Sequence, residues 1–194
     1  MPKRSTITRL CLPMALFTAL TAGAAAAQSP IDFTAVTPGD PLASLPENVR
    51  MITAFGERPA FSPDGRWLYH TDTVRRVIYR FARTAEGAEN REEFIRVAEA
   101  DGSPDGMTAD SQGYLWVGHW GGGKVSRFAP DGSLDRVIAL PAHQVTNVAF
   151  AGAALDRLFV TSAADGLPPS EFDGALFEID PGGATGVMPG IFPG

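Results

Sequence analysis

The chain has 194 residues, 44% of them hydrophobic and 20% charged, a balance that excludes a disordered tail or a multi-span membrane protein and suits about one domain. Acidic residues outnumber basic ones by 22 to 16. No basic stripe is available to displace counterions from phosphates, which excludes nucleic acid as a partner. With 21 glycines and 16 prolines, the chain is rich in turns, and frequent turns favour short strands over long helices.

Residues 1–27 read as a secretory signal peptide. Lys3, Arg4 and Arg9 make a positive start, Leu10 to Leu20 is an apolar run interrupted by Pro13 and Thr18, and Ala25-Ala26-Ala27 offers small residues for cleavage. The apolar run is about half of the ~20 residues a bilayer demands, so a cleaved leader is favoured over a membrane anchor. The expected location is therefore periplasmic or secreted, with no membrane attachment after cleavage. Cys11 is the single cysteine and leaves with the leader, which excludes disulfides, thiol nucleophiles and zinc–thiolate sites. Residues 28–50 contain Pro30, Pro38, Pro41 and Pro46 without periodicity and read as an extended linker or arm.

From residue 51 to 194 the chain repeats itself with a period of about 47 residues. Ala60-Phe61-Ser62-Pro63-Asp64-Gly65-Arg66-Trp67-Leu68-Tyr69 and Val77–Phe81 form the first unit. Thr108–Val117 and Lys124–Phe128 answer them in the second, and Val148–Phe150, Leu158–Val160 and Ala175–Ile179 in the third. Extra residues at 163–173 fit a loop insertion. Each unit reads as strand, tight turn, strand, loop, strand, with Pro63-Asp64-Gly65, Pro130-Asp131-Gly132 and Pro181-Gly182-Gly183 as turns. Fourth strands are expected at Phe94–Ala98 and Leu134–Leu140, although 85–100 also fits a helical stripe. Repeats of this size with about four strands are propeller blades. The expected fold is all-β, of the six-bladed β-propeller type, with about three blades at 51–100, 101–143 and 144–190.

These residues resemble a known family. The stretch Ala60–Arg66 with Tyr69 and Thr71-Asp72, then Pro104-Asp105-Gly106-Met107, Leu115–Phe128, Gln144-Val145-Thr146 and Leu158–Ala163 are similar to the C-terminal half of the SMP-30/gluconolactonase/LRE-like sugar-lactone hydrolases. The resemblance implies a gluconolactonase-like hydrolase with one divalent metal at the channel mouth, expected to be Ca2+, with Zn2+, Mg2+ or Mn2+ as alternatives. It makes Asp105 a metal ligand and general base, and it places an asparagine ligand where this chain has Glu57. The implied chemistry is a metal-polarised lactone carbonyl attacked by a carboxylate-assisted water.

The repeat supports the same place. Residues just before each innermost strand face the channel of a propeller, and counting back five from Ser62, from Asp110 and from the matching place in unit three reaches Glu57, Asp105 and Thr146. Calcium wants six to eight oxygens converging from several blades. His119 precedes the Gly121-Gly122-Gly123 turn and is a candidate substrate contact with Thr146; a bulge or capping role is its alternative. Trp67 and Trp116 read as core. The triple glycine joins strand to strand, so it is no phosphate loop.

Six blades require about 270 residues, and the first-half features of the family, a glutamate ligand and an arginine–asparagine pair, have no counterpart here. Pairing of two half-propellers as a homodimer is one way to close the ring. A non-catalytic periplasmic binding module, like the repeats of TolB-like proteins, and an inactive truncated family member are the alternatives. The former predicts Ser-Pro-Asp-Gly in successive blades, and it occurs once.

Overall fold

A computed structural model describes residues 57–85, 87–168 and 171–188. The expected leader at 1–27 and linker at 28–50 lie outside these residues. So does the side chain of Glu57, whose backbone opens the first strand.

The described chain is eleven strands in antiparallel array. The first blade is β1 (Glu57–Phe61), β2 (Trp67–Asp72), β3 (Val77–Arg83) and β4 (Ala88–Arg96), paired in that order. The second is β5 (Ser103–Ala109), β6 (Leu115–Trp120), β7 (Lys124–Phe128) and β8 (Leu134–Ala139). The third is β9 (Gln144–Ala151), β10 (Arg157–Ala163) and β11 (Leu176–Ile179). The pair Trp120–Gln144 joins the second and third blades into one continuous sheet. The ambiguous stretch 85–100 is a strand in its larger part, β4, and closes in a single 3-10 turn at Glu99–Asp101.

Side-chain chemistry at the hairpins explains this regularity. Ser62 Oγ donates to Asp64 Oδ1 over 2.6 Å and accepts the N–H of Trp67 at 2.9 Å, so the β1–β2 turn carries its own hydrogen-bond partners. Gly65 sits at φ +68°, where a side chain would be strained. At the matching place between β5 and β6, Asp110 Oδ1 accepts the N–H groups of Gln112 and Tyr114, each at 3.0 Å.

Packing follows the repeat. Strands β2 and β6 are buried on both faces, whereas β8 is largely exposed with only alternate residues half-buried. This is the expected pattern for inner strands sandwiched between blades and outer strands at the rim. Tyr69, Ile78, Ile95, Met107, Leu115 and Val117 fill the space between blades one and two. Trp116, Val125, Val145, Val148, Leu158 and Val160 fill that between blades two and three. Trp116 is fully buried and Trp67 is packed against the first cluster, as a core role requires. The segment after β11 turns back: Ala184 joins the second cluster, Gly186 bridges to Asp110, and Ser111 N–H donates to the carbonyl of Thr185 at 2.8 Å. No helix among the described residues is long and apolar enough to cross a membrane.

Candidate functional site

The three innermost strands, β1, β5 and β9, run side by side, and each carries a β-bulge at one common place. The register slips between Glu57 and Ala60 in β1, between Pro104 and Met107 in β5, and at Thr146 in β9, where Val145 and Asn147 pair with Ser162 and Thr161. A bulge twists its strand and re-aims the extra residue. The residues inside these bulges are Arg58 and Pro59, Asp105 and Gly106, and Thr146, whereas Glu57 is the paired residue opposite Thr71 just before the first bulge.

Asp105 is the buried carboxylate of this mouth, 2% exposed. Its Oδ1 lies 2.6 Å from Nη1 of Arg58 on β1, and its main-chain carbonyl accepts the hydroxyl of Thr71 on β2 at 3.2 Å. Blade one thus grips Asp105 twice. On the other side Gly106 lets β9 approach: a Cβ there would lie 2.5 Å from the carbonyl oxygen of Thr146 and would collide with Oδ1 of Asn147. Thr146 is half-buried, and its hydroxyl shares a hydrogen bond of 2.7 Å with that of Thr161. Asp105, Thr146 and Asn147 meet at one rim.

His119 belongs to a different cluster. Its Nδ1 lies 3.0 Å from the carbonyl of Asp101. A carbonyl only accepts, so Nδ1 carries the proton, and among the described residues Nε2 has no partner. Burial pushes the imidazole down to about 4, so the ring is neutral at pH 7. The Asp101 carboxylate pairs with Lys124, which holds that carboxyl below its ordinary range. Together these contacts fasten the crossover between blades one and two onto the β6–β7 hairpin. The structure gives His119 this fastening contact. His70 stacks on Phe81 in β3, and His143 pairs with Asp173 in a loop.

Two residues escaped the sequence reading. Arg58 has φ +51° immediately before Pro59, and nothing in a sequence pattern announces a left-handed arginine. Asn147 follows Thr146 on the same bulge, where the counted register stops one residue short. A cavity of about 310 Å³ lined by Ser62, Trp67, Gln112 and Pro130 lies at the far, hairpin end of the inner strands, away from Asp105.

The divalent ion implied by the resemblance can be tested against these donors. Asp105 already faces a guanidinium, and no three His, Cys, Asp or Glu side chains converge among the described residues. Calcium requires six to eight oxygens. The described residues do not fit it.

Comparison with known proteins supplies the family. Residues 53–164 match the model of the SMP-30/Gluconolactonase/LRE-like region. The chain is 40% identical over 131 residues to the pentonolactonase XacC of Haloferax volcanii, covering 62% of this chain and 45% of that protein. It is 40% identical over 106 residues to the 6-deoxy-6-sulfogluconolactonase of Pseudomonas putida, covering 54% of this chain and 36% of the relative. The chain thus spans less than half the length of these two relatives. Among solved structures, a regucalcin of Agrobacterium tumefaciens, described as a calcium-binding protein, superposes with a TM-score of 0.62 at 31% identity over 67% of this chain and 46% of its own. A luciferin-regenerating enzyme gives 0.62 at 30% identity over 69% and 47%. The repeated inner-strand bulge and the matched residues lead to one conclusion: this chain belongs to the SMP-30/gluconolactonase/LRE-like family.

Proposed function

We propose that the chain is a hydrolase of sugar lactones in which Asp105 is the general base. The observation that carries this reading is a buried carboxylate at the register where all three inner strands bulge. Relatives named pentonolactonase, 6-deoxy-6-sulfogluconolactonase and L-arabinolactonase support the substrate class. In the reaction, Asp105 accepts a proton from a water molecule whose oxygen attacks the lactone carbonyl carbon. The ring C–O bond breaks, the ring oxygen leaves as a hydroxyl on taking the proton that Asp105 holds, and the product is an open-chain hydroxy acid. Thr146, on the same rim, offers a hydroxyl to the sugar. His119 serves as a positioning residue for the β4–β5 crossover, with Lys124 and Asp101. The described donors around Asp105 do not fit a divalent ion, and hydrolysis is read from the carboxylate alone. The leader expected at 1–27 would direct this activity to the periplasm or the medium.

The test is acid release from an aldonolactone by the purified protein, followed with a pH indicator. Asp105→Asn should lower the rate about 10²- to 10⁴-fold while the circular dichroism spectrum is kept. Equal rates in the parent and Asp105→Asn, or a folded parent no faster than the uncatalysed blank, would leave a binding module as the better reading.

A further inference from the structure

We propose that Arg58 is the resident cation of the mouth: its guanidinium takes the place over Asp105 that a divalent ion would need, and the protein binds no such ion there. Nη1 stands 2.6 Å from Oδ1 of Asp105. Calcium holds its carboxylate oxygens at about 2.3–2.6 Å, so the ion and the guanidinium compete for one position. The Asp105 side chain is 3% exposed and that of Arg58 is 39% exposed. The guanidinium therefore covers Oδ1 of the carboxylate from the solvent side.

The backbone gives an independent sign. Arg58 adopts φ +51° within the β1 bulge, and the next residue is Pro59. Both a non-glycine side chain and a following proline disfavour that conformation, and strain of this kind persists where surrounding contacts over-determine it. Those contacts are visible: the ion pair to Asp105, and Thr71, opposite Glu57 across the bulge, donating to the Asp105 carbonyl. β1 is bent so that its cation reaches the buried carboxylate of Asp105.

Calcium chloride titrated calorimetrically into the full chain tests this without any substrate, so its outcome is separate from that of the lactonase reading. The parent should show no saturable binding below millimolar calcium, and a chelator should leave its thermal midpoint unchanged. Arg58→Gly, which also removes the strain, should gain calcium affinity by about tenfold or more, and adding Asp105→Asn should abolish the gain. Arg58→Gln removes the charge while keeping most of the side chain; it should gain affinity in the same direction and carries the test if the glycine variant does not fold. Saturable binding by the parent that Asp105→Asn abolishes would overturn the proposal. So would a folded Arg58→Gln or Arg58→Gly that binds no better than the parent.

Discussion

His119 donates from Nδ1 to the main-chain carbonyl of Asp101 across 3.0 Å, which leaves its buried Nε2 as an acceptor without a partner among the described residues. Burial is the main reason the imidazole is pushed from 6.5 to about 4; the Asp101 carbonyl opposes that shift, Lys124 adds to it, and the Asp101 carboxylate weakly offsets it. The unfolded chain takes up a proton near pH 6.5, and the folded chain refuses it until about pH 4. Stability from this group is therefore complete above pH 6.5 and declines as pH falls toward 4, by at most about 1.4 kcal/mol per pH unit. Urea midpoints of the parent and His119→Gln between pH 7.5 and 4.5 check this. The parent should lose stability faster than the variant on acidification; parallel profiles would show that the ring titrates normally.

The His119 cluster also shows what sequence reading reaches. Turn residues and the spacing of Leu68 against Leu115 expose the blades because each hairpin closes on its own side chains, as Ser62 and Asp110 do locally. Counting within that repeat reaches the bulges of Asp105 and Thr146 and stops at Glu57, one residue short of the first bulge, because the bulges recur with the strands but differ in their exact place. Contacts between blades have no such period. The reach of Arg58 to Asp105 depends on a positive φ, and the hold of Asp101 on His119 depends on a 3-10 turn between blades. Neither geometry leaves a trace in the hydrophobic pattern.

Asp110 should be the most sensitive polar position in the described core. It is fully buried, and its Oδ2 accepts Trp116 Nε1 at 2.9 Å and both Nε and Nη2 of Arg127 at 2.8 and 2.6 Å. Asp110→Ala leaves the Arg127 guanidinium and Trp116 Nε1 without their buried acceptor and the turn N–H groups unbound, a loss of about 3–5 kcal/mol. Asp110→Asn keeps an acceptor for the turn, and Arg127 retains Asp135 at 3.0 Å; it should cost less than the alanine variant. Chemical denaturation orders the two. An alanine variant as stable as the parent would mean that the network contributes nothing.

The Arg157–Glu178 pair joins β10 and β11 through contacts of 2.6 Å that look as good, yet both side chains are about half exposed. Water and salt screen such a pair, and holding two long side chains costs entropy. Arg157→Gln should leave the thermal midpoint indistinguishable from the parent at physiological salt. A clear drop would show that the pair, or the packing of Arg157 over Phe159 at 5.1 Å, holds β11 in place.

Gly106→Ala separates the site from the fold. A Cβ at residue 106 would sit 2.5 Å from the Thr146 carbonyl oxygen and 2.6 Å from Cα of Asn147. These are backbone atoms of a neighbouring strand, so no side-chain rotation can relieve the clash. β5 and β9 must move apart at their mouth ends, while the cluster around Trp116, Val148 and Leu158 stays in contact further along. Overpacking of this kind costs about 1–3 kcal/mol, too little to unfold a typical domain. The larger effect falls on the alignment of Asp105 with Thr146, since small displacements of reacting groups cost rate steeply. Lactone hydrolysis per folded molecule should therefore fall about 10²-fold while the thermal midpoint drops only a few degrees. A variant that loses stability but keeps the parental rate would remove β9 from the catalytic rim.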